Sequence, residues 1–216
     1  MKPRISAGRE RALSMVEVLV AVFILLLLIA VILPSFSRCQ CQAPRINCVN
    51  NLKQVALAFR IWAGDNDDKY PMAFYISDSG QPLWPDSSNQ FHYFQVMSNE
   101  MSTPKIVICP SDPGRTAATN FLADIDRNKV SYFIGLNADQ SRPEMFLAGD
   151  RHLTDGKPVR NGLLGLTYRQ SVIWTKENHA GQGNVALVDG SVAMMRNEPL
   201  DLRLPHDGTT NWLVFP

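Results

Sequence analysis

The residues best suited to chemistry in this chain are four histidines, His92, His152, His179 and His206, and four cysteines, Cys39, Cys41, Cys48 and Cys109, all scattered over 216 residues. Asp150-Arg151-His152, taken with His179 and Asp189, has the residue types of an acid–base or metal site. An imidazole exchanges protons near neutral pH, and a carboxylate beside it fixes its orientation. No local motif supports such a site: the sequence has no His-Glu-x-x-His, no Gly-x-Ser-x-Gly and no phosphate-binding loop. Gly181-Gln182-Gly183-Asn184-Val185-Ala186 matches a dinucleotide fingerprint in form, but the fingerprint needs a following helix and a hairpin pattern follows instead. His179 and Asp189 are therefore read as fasteners of a loop and a turn. No catalytic residue, metal or cofactor is expected, and the chain is read as a non-enzyme.

Asp65-Asn66-Asp67-Asp68 offers three carboxylates for calcium. The twelve-residue loop of an EF-hand, with its glycine and terminal glutamate, is missing, so a solvated turn is expected. A zinc site built from Cys39-Gln40-Cys41 and Cys48 lacks the usual spacing within ligand pairs.

These residues have to be positioned by elements the sequence also outlines. Hydrophobic residues make up 45% and charged ones 19%, which excludes a disordered chain. Residues 1–12 carry Lys2, Arg4, Arg9 and Arg11 against Glu10, leaving 17 of 21 basic and 19 of 20 acidic residues for the rest. That remainder is slightly acidic, so nucleic acid is not an expected partner. Residues 18–33 are sixteen consecutive apolar residues, and counted from Leu13 the run is 21 long. A helix of that length spans about 30 Å, the thickness of a bilayer core. The basic leader lies before it, which predicts a single-pass inner-membrane protein with residues 35–216 outside the cytosol. Glu17 inside the run requires a partner, since a buried carboxylate is costly.

Arg11-Ala12-Leu13-Ser14-Met15-Val16-Glu17-Val18-Leu19 resembles the start of type IV prepilins and type II secretion pseudopilins. The resemblance implies a leader, residues 1–12, removed by a prepilin peptidase between Ala12 and Leu13. It further implies N-methylation of Leu13, assembly through Glu17 with the cationic N-terminus of a neighbouring subunit, and a helix kink at Pro34. Ala12 replaces the usual Gly, and Leu13 the commoner Phe or Met. Partners implied are other pilin-like subunits and an inner-membrane assembly platform. The product is a secretion filament; a type IV pilus, or a membrane-anchored periplasmic enzyme using His179, Asp189 and Asp150, is the alternative.

Residues 35–45 read as a polar joint, with Pro44 opposing helix at Ala43. Asn47 then caps an amphipathic helix with apolar positions 49, 52, 56, 59 and 63, thickened by Val55 and Trp62 and ended by Gly64. Strands are predicted over 105–109, 130–136, 145–148, 167–175, 184–188 and 191–195, and loops over 80–89 and 111–120; 196–216 is unassigned. Asp189-Gly190 suits a two-residue turn with positive φ at both positions. The overall prediction is an α+β chain: a transmembrane helix over 13–34 continuing, through a linker and amphipathic helix over 35–64, onto a mainly antiparallel β head over 65–216. His179, nine residues, then Asp189-Gly190 is similar to a C-terminal signature of a prepilin-type group abundant in planctomycete-like and verrucomicrobial bacteria. Cys48-Val49-Asn50-Asn51-Leu52-Lys53-Gln54 and Cys109-Pro110-Ser111-Asp112 look like the same group.

Outside the cytosol disulfides are permitted. Cys39 and Cys41 would point to opposite faces of a helix, and Cys41 and Cys48 would lie about 10 Å apart along one. That leaves Cys48 with Cys109 as the predicted bond, stapling the second helix to a strand.

Overall fold

A computed structural model describes residues 14–37, 43–80, 82–157, 159, 161–167, 170, 172–196 and 210–216. Two compact units are present, residues 1–43 and 44–216. Ala12, Leu13, Cys39 and Cys41 lie outside the described residues.

The first unit contains α1, Met15–Ser37, which includes Pro34. Its start is capped locally. The Ser14 N–H donates to Glu17 Oε2 at 2.8 Å, and the Glu17 N–H donates to Ser14 Oγ at 3.3 Å. This is a reciprocal Ser-x-x-Glu capping box, which satisfies two of the free N–H groups of a helix end. Glu17 thus has a partner within its own helix, one the sequence displays at Ser14.

Among the described residues no helix is long and apolar enough to cross a membrane. The transmembrane helix over 13–34 and the single-pass inner-membrane placement are therefore not supported. Nor is the fold class that ran such a helix on into the amphipathic one: α1 ends at Ser37 and α2 begins at Ala43.

The second unit is α2, Ala43–Gly64, lying on a sheet. Pro44 sits in the first turn of α2, where its missing N–H costs nothing, so the helix begins before Asn47. Cys48, Leu52, Val55, Ala56, Phe59, Trp62 and Ala63 are buried, a three-four stripe starting at Cys48. The acidic turn after Gly64 closes the helix. Asp67 and Asp68 have φ of 55° and 58°, and the Asp68 N–H donates to the Ala63 carbonyl at 2.9 Å. Aspartate tolerates this left-handed backbone because its side chain bonds locally. Two short helices follow, α3 Pro71–Phe74 and α4 His92–Val96.

The strands are β1 Tyr132–Gly135, β2 Phe146–Asp150, β3 Leu153–Thr154, β4 Leu163–Leu166, β5 Ile173–Trp174, β6 Gln182–Leu187, β7 Val192–Arg196 and β8 Asn211–Val214. Six form one antiparallel sheet in the order β4-β8-β1-β2-β6-β7, and β3 pairs with β5. Side chains alternate across the sheet. Tyr132, Ile134, Leu147 and Ala186 face the core containing α2, whereas Phe133, Phe146, Val185 and Leu213 join Trp174 in a second cluster. Of the strand predicted over 105–109, residues 105–107 lie instead in a 3-10 turn, Pro104–Val107, opened by Thr103 and Pro104.

The β6–β7 connection differs from the predicted two-residue turn. It is three residues long: the Gly190 N–H donates to Leu187 O at 3.0 Å, the Leu187 N–H to Ser191 O at 2.9 Å, and only Gly190 has positive φ, 86°. This is the turn-plus-bulge solution, which asks for glycine at one position rather than two.

Gly135 is constrained by space. A Cβ there would stand 2.0 Å from the Phe146 carbonyl oxygen, a backbone atom that cannot rotate away. Gly135→Ala is expected to cost about 1–3 kcal/mol, toward the upper end. Gly64→Ala, with nothing within 4 Å of the new methyl, should leave the urea midpoint nearly unchanged. Equal midpoints for the two variants would contradict this reading of β1–β2 packing.

Candidate functional site

Where α2 meets the ends of β2 and β6, four chemically competent side chains converge. Cys48 of α2 and Cys109, which follows the 3-10 turn, are joined by a disulfide and fully buried. The bond closes a loop with a separation of 61 residues. It ties α2 to an irregular segment rather than to a strand.

His179 arrives from the turn before β6, bent inward by left-handed backbone at Ala180 and Gly181 (φ 55° and 79°). Its Nε2 lies 3.3 Å from Cys109 Sγ and 3.4 Å from Asp150 Oδ2. Asp150, the last residue of β2, is 1% exposed. Its Oδ2 accepts from the Asn184 N–H at 2.8 Å and from Asn184 Nδ2 at 2.9 Å, while Oδ1 has no hydrogen-bond partner among the described residues. Asn178 Nδ2 donates toward Cys109 Sγ at 3.6 Å, and the Ser111 hydroxyl stands 3.9 Å from Cys48 Sγ.

Burial sets the protonation of this cluster. It pushes the Asp150 carboxyl up to about 7, despite the Asn184 hydrogen bonds that favour the anion. It draws His179 down to about 4, helped by the positive charge of Arg45. The folded chain therefore prefers a neutral imidazole beside a carboxyl that holds its proton to near-neutral pH.

A second, adjoining network is charged. Arg151 Nε and Nη2 donate to Asp112 Oδ2 and Oδ1 at 2.8 and 3.0 Å, a bidentate pair. His152 Nδ1 lies 3.0 Å from Glu177 Oε2, and its Nε2 3.7 Å from Asp112 Oδ1. Burial opposes the charge on Asp112, but hydrogen bonds from His152 and Arg151 hold its carboxyl well below the usual range.

Asp189 is not part of either network. His179 precedes β6 and Asp189-Gly190 follows it, so six residues of strand, about 20 Å, separate them. The carbonyl of Asp189 accepts from Arg60 Nη1 at 3.2 Å, and the Asp189 carboxylate caps the Ser191 N–H at 2.8 Å. Cys48 and Arg60 are twelve residues apart in α2, about 18 Å of helix. Asp189 thus meets α2 near its C-terminal end through Arg60, while His179 stands beside the disulfide that holds α2 at Cys48.

Of the trio His179, Asp150 and Asp189, the structure brings together only the first two, and it seals them from solvent. An open cavity of about 500 Å³ is lined by Asn47, Asn50, Asn51, Gln54 and Lys105, and a smaller one of about 220 Å³ by Pro82, Pro85, Leu136 and Trp212. Neither is lined by Asp150 or His179. Sequence reasoning missed the meeting of His179 with the disulfide. Their 70-residue separation hides it, and only the Asn-His before β6 and the Asp ending β2 could have signalled it.

The class defined by these features is an antiparallel sheet with a helix held to the rest of its unit by a disulfide and an Arg-held turn, and with a buried His–Asp pair beside that disulfide. No family model, no curated protein and no solved structure matches the chain.

Proposed function

We propose that the chain is a pilin-like structural subunit of a type II secretion-like filament, matured by cleavage between Ala12 and Leu13 and N-methylation, and assembled through α1. The observation that carries this reading is the surface of α1. Leu19, Phe23, Ile24, Leu26 and Leu27 are each more than half exposed in the single chain, and an apolar surface on every side of a helix calls for other apolar helices to cover it. The occupants proposed are the α1 helices of further copies. The other unit has its own two cores and polar networks, which suits a folded head carried by a filament. The sealing of His179 and Asp150 favours a structural role for them over catalysis.

Intact mass and N-terminal sequencing of the protein from its own cells test maturation: the chain should begin at Leu13 with one added methyl group. A start at Met1 or Arg38 would refute it. The capping box makes Glu17 a sharper test. Glutamine at this position keeps the hydrogen bond to the Ser14 N–H but loses the charge, whereas Ser14→Ala damages the cap and keeps the charge. If Glu17 pairs with a neighbour's N-terminus, Glu17→Gln should reduce filament yield by more than about tenfold, as expected for stranding a buried charge. Ser14→Ala should then be much milder. The reverse ranking would mean that Glu17 serves only its own helix.

A further inference from the structure

We propose that Cys48, Cys109, His179 and Asp150 form a divalent-metal site of the zinc class in the dithiol form of the chain, a state exclusive with the disulfide. This stands independently of the filament reading.

The two sulfurs and His179 Nε2 all lie within 4.8 Å of one another. In a tetrahedral site with metal–nitrogen and metal–oxygen distances of about 2.0–2.2 Å and metal–sulfur of about 2.3 Å, neighbouring ligand atoms stand about 3.3–3.8 Å apart. The observed Nε2 to Cys109 Sγ and Nε2 to Asp150 Oδ2 separations, 3.3 and 3.4 Å, fall at the short end of that range. Four edges of the tetrahedron, all involving a sulfur, remain to be set by turning the two cysteine side chains once the sulfur–sulfur bond is absent.

An independent feature points the same way. Asp150 Oδ1 is a buried carboxyl oxygen without a hydrogen-bond partner among the described residues, in a residue 1% exposed. Such a group costs stability unless something meets it, and a cation at this point would. The surroundings suit thiolates: Asn178 Nδ2 faces one sulfur and the Ser111 hydroxyl the other. The charge also balances. Two thiolates and a carboxylate exceed a divalent ion by one negative charge, and the guanidinium of Arg45 interacts with Asp150. Two cysteines, a histidine and an aspartate with no open position describe a structural site rather than a catalytic one.

The two states are linked by a defined exchange. Metal capture by the dithiol releases two thiol protons, together with the Asp150 proton where the carboxyl holds one, and moves no electrons. Forming the disulfide releases two protons and passes two electrons to a disulfide-class oxidant, after which neither sulfur is a thiolate ligand. Metal and oxidant therefore compete for the same pair.

The test uses the full-length chain carrying Cys39→Ser and Cys41→Ser, so that only the proposed thiols remain, with cobalt(II) as the probe. Reduced protein should bind about one equivalent, with thiolate-to-cobalt charge transfer and the strong visible absorption of tetrahedral cobalt; oxidised protein should show neither. His179→Ala should weaken binding by more than about tenfold, while Asp189→Asn, at the far end of β6, should leave it unchanged. Absence of thiolate–cobalt absorption in the reduced protein, or equal affinity in His179→Ala, would overturn the site. Should His179→Ala fail to fold, alkylation of the reduced chain decides. Zinc should slow modification of Cys48 and Cys109 together, and unchanged rates would refute the proposal.

Discussion

Replacing Cys48 and Cys109 together by alanine is expected to lower the unfolding free energy by about 4 kcal/mol, the chain-entropy value for a loop of this length. The effect acts first on the unfolded chain, which regains the freedom that a 61-residue separation had removed. A smaller loss follows in the folded state. Both cysteines are fully buried, so truncation leaves space beside His179 and removes the sulfur that Asn178 and His179 face. A marginal domain has only about 5–15 kcal/mol in hand, so the doubly substituted protein should unfold at much lower urea concentration. Urea titration of the oxidised wild type, the reduced wild type and the double variant measures this. The reduced wild type should lie between the other two, because it lacks the cross-link but keeps the side-chain volume. A midpoint shift corresponding to less than about 1 kcal/mol would mean that α2 is held by its apolar face alone and that the bond adds little constraint.

The order of elements in the head was legible because two periods are written plainly in the sequence. The three-four spacing of Leu52, Val55, Ala56, Phe59, Trp62 and Ala63 marks the buried stripe of α2, and the alternation around Asp189-Gly190 marks β6 and β7. What could not be read was of another kind. Residues 105–109 are apolar enough for a strand, yet Thr103 and Pro104 turn the first three of them into a 3-10 turn. Asn211–Val214 inserts between β1 and β4, a long-range pairing with no local signal. The length of the apolar run pointed to a membrane span, whereas no described helix meets that condition. The charge of Glu17 drew attention to distant partners, although the nearest one, the Ser14 backbone three residues earlier, is a standard helix-start pattern. At the site, residue types were visible but their grouping was not. Spacing along the chain linked His179 with Asp189, while the fold separates those two by the length of β6 and puts His179 against residues from two other segments.

That grouping gives the site a pH signature, and Asp150→Asn should expose it. Asparagine can still accept from the Asn184 N–H and amide at the same oxygen, so the substitution removes a titrating group with little change in shape. The Asp150 carboxyl is raised from an unfolded value of 3.8 to about 7, so the folded chain holds a proton that the unfolded chain releases. Its contribution is fully present below about pH 4 and is lost as pH rises through about 7. His179 works in the opposite sense. Lowered from 6.5 to about 4, it contributes stability above about pH 6.5 that is lost as pH falls through about 4. In the wild type the two slopes oppose one another over the shared interval, which keeps stability nearly level there. Asp150→Asn leaves the His179 slope alone. The stability of the variant relative to wild type should therefore rise by about 1.4 kcal/mol per pH unit across the interval, roughly 3 kcal/mol between pH 5 and pH 8. Urea unfolding of both oxidised, metal-free proteins at pH 5, 6.5 and 8 reads this directly. A difference that stays constant with pH would show that Asp150 is ionised in the folded chain throughout. The neutral pairing of His179 with a protonated carboxyl, on which the opposing slopes depend, would then be wrong.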